Sequence, residues 1–313
     1  MREDEMTTRT SILTAITAVG LGSIALAATQ APAAPAPPKT ITVDKLKDNL
    51  YVLKGGGGNT ALFLTATGAV VVDSKLPGWG QPLLDSIKTL TDKPVTMVIN
   101  THAHYDHTNG QVEFPASVEV VAHENAKTYM EQANPVYALQ TGPQPNIFKE
   151  HGGRGMAKRT FKDSLTIGSG ADRIELHYFG PAHTGGDAYV VFPALRVMHV
   201  GDTFPTRDLP IMDLNNGGSG VAFAATLAKA AAVAGVDTII NGHNPNTMTP
   251  ADVKTYAEFI REFVTTVQDA KKAGRTVDDV VASWKTPVKY AGYAAPQAAR
   301  VKADAQVIFT ETK

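Results

Sequence analysis

The sequence predicts an α/β protein in which short β-strands alternate with α-helices. Two observations support this fold class. Apolar runs of strand length, bounded by glycine-containing turns, are interspersed with longer segments that have helical periodicity. Several of the strand-like runs also end in histidine or aspartate near a glycine, which lets the backbone turn sharply at that point.

The predicted strands come at short intervals and are separated by glycine turns or by helices. They are Leu50 to Leu53, Thr60 to Leu64, Ala69 to Asp73, Val95 to Asn100, Ser117 to Ala122, Leu165 to Ile167, Arg173 to Phe179, Ala188 to Phe192, Arg196 to Val200 and Asp237 to Asn241. The predicted helices are Trp79 to Leu90, Glu124 to Gln132, Val221 to Ala234, Ala251 to Lys272, Val277 to Trp284 and Ala295 to Phe309. Residues 133–156 are rich in proline and glycine, and so long a connection is usually functional or mobile.

The composition is that of a soluble protein with a sizeable core. Of the 313 residues, 43% are hydrophobic and 19% are charged. Lys and Arg (29) nearly balance Asp and Glu (30), so no overall field attracts nucleic acid or an acidic membrane surface. The absence of cysteine excludes disulfides, thiolate metal ligands and a cysteine nucleophile. We therefore expect a small-molecule substrate and no nucleic acid partner.

The N-terminal segment predicts export. Residues 11–28 are apolar or small and contain the cleavage pattern Ala25-Leu26-Ala27, but they are too short and too rich in Ala, Thr and Gly for a membrane span. We expect a periplasmic or secreted protein with no stable membrane insertion after cleavage. The predicted parts are a signal peptide over residues 1–27, a Pro/Ala-rich linker over residues 28–39 and one folded domain over residues 40–313.

The start of translation is open. The segment from Met1 to Glu5 is acidic, which suits a signal peptide poorly, whereas a start at Met6 would leave Arg9 as the charge ahead of the apolar run. An uncleaved N-terminal anchor is the alternative to a cleaved signal.

The segment His102-Ala103-His104-Tyr105-Asp106-His107 carries four metal-competent side chains within six residues, directly after a predicted strand. Packing does not call for three histidines and an aspartate at a strand end, in a chain with nine histidines. Neutral imidazoles and a carboxylate are ligands that zinc prefers for catalysis. A metal site is thus the favoured interpretation, and a polar surface loop is the alternative.

Further candidate ligands follow other predicted strands. They are His183, in Pro181-Ala182-His183-Thr184-Gly185-Gly186-Asp187, Asp202, in Gly201-Asp202-Thr203, and His243, in Gly242-His243-Asn244. Each has a glycine beside or near it, which allows the close approach of backbone that a metal site needs.

The pattern His-x-His-x-Asp-His, followed by separate His, Asp and His residues, resembles the hallmark of the metallo-β-lactamase superfamily. The resemblance covers about Thr40 to Lys313 and implies a four-layer αβ/βα sandwich with two zinc ions per chain at the edge of the two sheets. The first zinc would be held by His102, His104 and His183 and the second by Asp106, His107 and His243, with Asp202 bridging them. Asp73 matches an acid that orients ligands in this family.

The resemblance implies a zinc hydrolase in which a metal-bridging hydroxide attacks a small ester, thioester, lactone or lactam. Asp106 would orient the hydroxide and pass a proton to the leaving group. β-Lactamases of the family carry Cys or Ser where this chain has Asp202, and Pro205 stands where one group has a carboxylate-binding lysine. An aspartate at the bridging position is similar to thioesterases of the glyoxalase II type, lactonases and phosphodiesterases.

Three alternatives remain open. The chain could be a true β-lactamase, because the His-Ala-His-Tyr-Asp-His segment is similar to the motif of another lactamase group. It could be a phosphodiesterase, which shares the ligand set, or a metal-binding protein without catalytic activity.

Substrate-binding candidates lie close to the motifs or in the predicted loops. They are Tyr105, His151, Arg207, Asn215 and Asn216. The loop that contains His151 could cover the metal site, and the last two asparagines precede a predicted helix whose N-terminus could bind an anion. Packing, a solvated arginine and a glycine-rich helix cap are the structural alternatives.

Overall fold

The described part of the chain, residues 38–313 of a computed structural model, contains two β-sheets. The predicted signal peptide (1–27) and nearly all of the predicted linker (28–39) lie outside the described residues. In the first sheet the pairs β1–β2, β2–β3 and β3–β4 are antiparallel, and the pairs β4–β5, β5–β6 and β6–β7 are parallel. Its strands lie in chain order: β1 (Thr42–Lys47), β2 (Leu50–Lys54), β3 (Thr60–Leu64), β4 (Ala69–Val72), β5 (Val95–Ile99), β6 (Glu119–His123) and β7 (Arg159–Phe161).

The second sheet has five strands in the order β12-β11-β10-β9-β8 and is antiparallel except for the pair β11 and β12. These strands are β8 (Ser164–Ile167), β9 (Ile174–His177), β10 (Tyr189–Phe192), β11 (Val197–His199) and β12 (Thr238–Ile240). The α-helices of the described residues are α1 (Gly80–Lys88), α2 (Tyr105–Thr108), α3 (Glu124–Gln132), α4 (Ile147–Glu150), α5 (Gly220–Ala231), α6 (Pro250–Lys272), α7 (Val277–Ser283) and α8 (Ala298–Glu311).

The two sheets pack face to face over an apolar core. Val70 and Val72 of β4 belong to this central core, together with Val190 and Phe192 of β10. The rings of Phe63 and Phe192 meet there with their centroids 5.0 Å apart. Because successive side chains of a strand point to opposite faces, the remaining residues of the same strands must be buried on the outer faces.

Helices cover those outer faces. Val71 of β4 packs with Leu83 and Ile87 of α1, whereas Val191 of β10 packs with Phe223 of α5 and Phe259 of α6. The layers are therefore helix, sheet, sheet and helix, and strands buried on both faces explain the continuous apolar runs in the sequence. The expected four-layer αβ/βα sandwich is confirmed.

The long helix α6 shows how local sequence sets an element. Pro250 occupies its first turn, and Thr249 and Asp252 form a capping box in which each side chain accepts from the other residue's backbone N–H. Its apolar face, which includes Tyr256 and Phe263, lies in the core outside the second sheet. Among the described residues, no helix has both the length and the apolar character needed to cross a membrane.

Most predicted elements are confirmed, with ends shifted by a few residues. Two strands were not predicted, β1 and β7. β1 is polar and largely exposed at a sheet edge, so it lacks the apolar pattern of the other strands, and β7 has only three residues. The stretch 133–156 contains no strand and only the short helix α4.

Candidate metal centre

Five histidines and two aspartates come together where strands of both sheets end. β4 and β5 are parallel neighbours, as are β11 and β12, so the loops that follow them leave the sheets in a common direction. His102, His104, Asp106 and His107 follow β5, His183 lies between β9 and β10, Asp202 follows β11 and His243 follows β12. The residues that the motif analysis singled out are thus neighbours in space.

The first group of candidate ligands consists of His102, His104, His183 and Asp202. Each offers one atom, and these four atoms lie within 4.8 Å of one another. Nδ1 of His104 is 3.0 Å from Nε2 of His183. All four residues are buried. The arrangement has the size and the donor types of a metal site.

The second group consists of Asp106, His107 and His243, whose atoms also lie within 4.8 Å of one another. Nε2 of His107 is 3.3 Å from Nε2 of His243, and that atom of His243 is 3.4 Å from Oδ2 of Asp106. The side chains of Asp106 and His243 are 21% and 34% exposed, respectively. This group therefore borders solvent, and a small molecule can reach it.

Asp202 lies between the two groups. Its Oδ1 is 3.3 Å from Nε2 of His107, and its Oδ2 is 3.1 Å from Nε2 of His243 and 3.8 Å from Nε2 of His183. A Cβ atom on Gly242 would lie 1.7 Å from Oδ1 of Asp202, so this position accepts only glycine. One carboxylate thus faces both groups.

Hydrogen bonds on the far side of the ring orient three of the histidines. Nε2 of His104 lies 2.7 Å from Oδ2 of Asp213, and Nδ1 of His107 lies 2.7 Å from Oδ2 of Asp73. Nδ1 of His183 lies 2.7 Å from the carbonyl oxygen of Ile211. Each contact favours a proton on the outer nitrogen and leaves the inner nitrogen free to bind a metal.

Asp73 also accepts hydrogen bonds from the backbone N–H and the hydroxyl of Thr101, at 2.8 and 2.7 Å. The Thr101 hydroxyl lies 3.0 Å from Nδ1 of His102. The Asp73 backbone adopts a left-handed conformation, with φ 64°, which is uncommon for a residue other than glycine. Asp73 also forms a third group with His102 and His107, in which one ligand atom of each residue lies within 4.8 Å of the others. Its role as an orienting acid rather than a ligand therefore stays a prediction.

The electrostatics favour a divalent cation. Burial lowers the pKa of His102 well below its ordinary value, and repulsion by His107 and His104 adds to this effect. Burial would raise the pKa of Asp202, but attraction to His107 and His243 holds it well below its ordinary value. Burial also opposes protonation of His107, yet the nearby carboxylates of Asp202, Asp106 and Asp73 raise its pKa well above the ordinary value. The carboxylates therefore create a negative potential at the ring of His107.

Two buried atoms in this cluster have no hydrogen-bond partner among the described residues, Nε2 of His102 and Oδ1 of Asp202. A buried polar atom without a partner is costly, and a metal ion would satisfy both. The donors are imidazole nitrogens and carboxylate oxygens, which suit zinc and related divalent metals. The residues present therefore fit a metal ion.

The predicted substrate-binding residues have different surroundings. Arg207 donates to Asp252 at 2.9 Å, and the ring of His151 contacts the carbonyl oxygen of Ile147 and borders a cavity that contains none of the seven candidate ligands. Asn215 donates from its side chain to the carbonyl oxygen of Pro135. None of these three residues lines a cavity with the candidate ligands in the described structure.

Two cavities do adjoin the candidate ligands. One, of about 180 Å³, contains His104, Tyr105 and Asn216 and is completed by residues of the 133–148 segment. The other, of about 250 Å³, contains His183, Asp202, His243 and Arg300. Tyr105 and Asn216 therefore border a cavity beside His104, and Asn216 also donates to Oδ2 of Asp213 at 2.6 Å. Their binding of a substrate stays a prediction.

Sequence reasoning missed three residues of this region: Asp213, Lys75 and Arg300. Asp213 lies two residues before Asn-Asn-Gly-Gly, and the paired glycines were a weak sequence signal of close backbone packing. The structure has this packing, since a Cβ on Gly218 would lie 2.4 Å from the carbonyl oxygen of His183. Lys75 is fully buried and donates to the carbonyl oxygens of Leu53 and Gly58. Nothing in the local sequence distinguishes either the lysine or the arginine.

Comparisons with known proteins agree with this geometry. Residues 53–265 match the family described as "Metallo-beta-lactamase superfamily". A protein named "Metallo-beta-lactamase type 2" from Elizabethkingia meningoseptica is 28% identical over 184 residues, 54% of this chain and 64% of the relative. "2,4-dinitroanisole O-demethylase subunit alpha" from Nocardioides sp. (strain JS1661) is 25% identical over 168 residues, 52% of this chain. The chain spans only 64% and 46% of the lengths of these two relatives.

Solved structures share the fold at low identity. A metallo-beta-lactamase from Pontibacter korlensis superposes with a TM-score of 0.56 at 16% identity, over 71% of this chain and 99% of that chain. The stereoselective inverting sec-alkylsulfatase Pisa1 from Pseudomonas sp. superposes with a TM-score of 0.64 at 15% identity, over 85% of this chain and 50% of that chain. Proteins with different named activities therefore have this architecture.

Proposed function

The chain belongs to the metallo-β-lactamase superfamily, and we propose that it is a hydrolase that binds two zinc ions and cleaves a small ester, thioester, lactone or lactam. The unpartnered, buried Nε2 of His102 and Oδ1 of Asp202, inside a cluster of seven donors, are the observation that carries this proposal. Such atoms are rarely left without a partner in a folded protein.

We assign three ligands to each zinc and one shared ligand. Nε2 of His102, Nδ1 of His104 and Nε2 of His183 would hold the first ion. Oδ2 of Asp106, Nε2 of His107 and Nε2 of His243 would hold the second. Asp202 would contact both, because its Oδ2 lies 3.1 Å from Nε2 of His243 and 3.8 Å from Nε2 of His183.

A pair of zinc ions lowers the pKa of water toward neutrality and polarises the oxygen of a scissile carbonyl. Asp106 supplies the proton transfer: its Oδ2 is 3.4 Å from Nε2 of His243, and its side chain is partly exposed toward the approach of a substrate. We assign this carboxylate to accept the proton of the attacking water and return it to the leaving oxygen, sulfur or nitrogen. Asp73 and Asp213 hold the rings of His107 and His104 in place.

Two cavities beside the candidate ligands are available to a substrate. Their volumes, about 180 and 250 Å³, suit a small molecule. β-Lactam hydrolysis is the second candidate function, favoured by the relative named "Metallo-beta-lactamase type 2". An ester and a β-lactam require the same attack on a carbonyl carbon, so substrate shape decides between them.

We also propose that the domain acts outside the cytoplasm, after removal of residues 1–27. The small-residue pattern Ala25-Leu26-Ala27 supports cleavage at that point. Intact-mass analysis of the protein from the periplasmic fraction should give a chain that begins at Ala28. A full-length chain in the membrane fraction would contradict export with cleavage.

A hydrolysis panel tests the reaction. Purified zinc-loaded protein is assayed with a carbapenem, nitrocefin, an acyl-homoserine lactone, a glutathione thioester and bis-p-nitrophenyl phosphate. We expect chelator-sensitive turnover of a lactone, thioester or lactam. Asp106→Asn should lose about 100-fold or more in kcat, the usual contribution of a general acid–base group.

Asp269→Asn serves as the matched control, because Asp269 lies on the exposed face of α6 with its side chain 63% exposed. Turnover of the phosphodiester alone would assign the chain to the phosphodiesterases instead. Two bound zinc ions with no turnover of any class would contradict the hydrolase proposal and favour a metal-binding protein.

A further inference from the structure

The cavity of about 250 Å³ joins the metal centre to the C-terminal helix. His183, Asp202 and His243 border it on one side, and Gln297 and Arg300 border it on the other. Any molecule that enters this cavity to reach the candidate ligands can therefore touch both sets of side chains.

Arg300 is held at this place by its helix. Val301, Ala305 and Ile308 of α8 are buried in the core outside the second sheet. That packing fixes the helix, so the half-buried Arg300 on its adjacent face has a defined position rather than that of a freely moving surface side chain.

The guanidinium of Arg300 has no assigned partner. Within residues 38–313 it makes no hydrogen bond or ion pair, whereas Arg207 is paired with Asp252 at 2.9 Å. A partly desolvated arginine with five free donors is suited to a carboxylate or another oxyanion, which it can bind through two parallel hydrogen bonds.

Besides the candidate ligand Asp202 across the cavity, two carboxyl groups lie near this arginine, and neither forms a direct contact with it. Asp208 borders the same cavity, and its Oδ1 accepts a hydrogen bond from the backbone N–H of Leu209 at 2.7 Å. Asp304 is one helical turn away, and burial raises its pKa to about 8, so it is largely protonated at neutral pH. Within the described residues, no carboxylate therefore occupies the hydrogen-bond donors of the guanidinium.

Arg300 lies outside the segment that matches the family, residues 53–265. The feature thus belongs to the C-terminal part of this chain and not to the shared ligand set. Sequence reasoning placed a possible anion contact at Arg207, but it is Arg300 that shares a cavity with the candidate ligands.

We propose that Arg300 is a specificity-determining residue that binds an oxyanion, most simply a carboxylate, on the substrate. This proposal rests on the proposed hydrolase function, because the other end of the same molecule would be the scissile group at the metal centre. The substrate class is thereby narrowed to small esters, thioesters, lactones or lactams that carry a negative charge a few bonds from the reacting carbonyl.

Equilibrium binding tests this inference without turnover. Zinc-loaded protein is titrated calorimetrically with glutarate and with pentanoate, which has the same chain length but one carboxylate replaced by a methyl group. One carboxylate of either probe can reach the metal centre, so the difference reports on the second anion site. We expect glutarate to bind roughly tenfold more tightly, as a charge-assisted hydrogen bond allows.

Arg300→Gln should abolish this preference, and Arg300→Lys, which keeps the charge but not the paired hydrogen bonds, should retain part of it. Lys302→Gln is the matched control, because Lys302 lies on the same helix, is 62% exposed and pairs with Asp278 outside the cavity. If Arg300→Gln does not fold, Arg300→Lys decides. Equal binding of the two probes by the natural protein, or an unchanged preference in either Arg300 variant, would overturn the proposal.

The hydrolysis panel, run in parallel, separates the two proposals. An Arg300-dependent preference for glutarate without turnover of any ester, thioester, lactone or lactam would leave the anion site intact and remove the proposed reaction. Turnover of those substrates without a preference for glutarate would support the proposed reaction and overturn the anion site at Arg300.

Discussion

Oδ2 of Asp213 lies 2.7 Å from Nε2 of His104, although 109 residues separate them in the chain. The backbone N–H of Tyr137 and the side chain of Asn216 also donate to the Asp213 carboxylate. Burial would raise the pKa of Asp213, but the hydrogen bond from His104 and the attraction to it lower that pKa. Asp213 therefore acts on the proposed metal centre through the orientation of one ring.

Asp213→Asn should weaken zinc binding. The amide keeps the shape of the side chain but removes the negative charge that faces Nε2 of His104 and makes the other ring nitrogen, Nδ1, a better ligand. We expect roughly a 10- to 100-fold lower affinity for the first zinc, measured by competition with a chromophoric chelator. Asp278→Asn, at an exposed position of α7, should leave the affinity unchanged. Equal affinity of both variants would show that Asp213 has no role in orienting the ring.

Gly58→Ala should displace His107. A Cβ at Gly58 would lie 2.1 Å from Cε1 of the His107 ring, and Gly58 also donates its backbone N–H to the carbonyl oxygen of Asp106. The ring has to move, because such an overlap cannot be relieved by a flexible side chain. We expect the variant to bind one zinc instead of two, measured by metal analysis after gel filtration, and to lose about 1–3 kcal/mol of stability.

Gly235→Ala is a suitable comparison for that variant. Nothing lies within 4 Å of a Cβ at Gly235, so the substitution makes no contact with the centre. Its positive φ of 78° should still lower the free energy of unfolding by about 1–2 kcal/mol. Two zinc ions should remain bound. If Gly58→Ala also retains two, the glycine is not required by the ring of His107.

Asp304→Asn should change how stability depends on pH. Burial raises the pKa of Asp304 from 3.8 to about 8, so the folded protein keeps a proton that the unfolded chain releases. The contribution of this group to stability is fully present below its unfolded pKa of 3.8 and is lost as pH rises through its folded value of about 8. In the asparagine variant the unfolding free energy should therefore fall less steeply with rising pH than in the natural protein. The two slopes should differ by up to about 1.4 kcal/mol per pH unit over this range.

Urea unfolding at pH 5, 6, 7 and 8 measures the effect of this substitution. The backbone N–H of Met212 donates to Oδ1 of Asp304 at 3.3 Å, and the side-chain oxygen of asparagine can replace this acceptor. The natural protein and the variant should diverge steadily with rising pH. Parallel curves would mean that Asp304 is not protonated in the folded protein near neutrality.

Zinc removal should lower the melting temperature. A ligand that binds only the folded state at a hundred times its Kd stabilises it by about 2.7 kcal/mol. His102→Gln should lose much of this zinc-dependent gain, because Nε2 of His102 is buried without a protein partner and is assigned to the first ion. Differential scanning calorimetry with and without a chelator gives the zinc-dependent shift in melting temperature for the natural protein and for the variant. An equal zinc-dependent shift in this variant would remove His102 from the ligand set.

The elements with strong local patterns could be predicted from sequence, and those without them could not. β4 and β10 are continuous apolar runs because both of their faces are buried, whereas β1 is polar and exposed at an edge and gave no such signal. Tyr105 and Asn216 were predicted near the centre and border the cavity of about 180 Å³. Arg207 was a plausible anion contact by sequence, but its guanidinium pairs with Asp252.

The sequence by itself determined the donor types and their order, because four of them lie within six residues and the others follow strands beside glycines. Only the tertiary structure decided which residues form hydrogen bonds with those donors and which residues border the cavities. Asp213 reaches His104 across 109 residues, and Arg300 reaches the same region from a helix beyond the family match. The physical reason is that a hydrogen bond or an anion site depends on distances of about 3 Å, and only the packing of the layers sets those distances between remote parts of the chain.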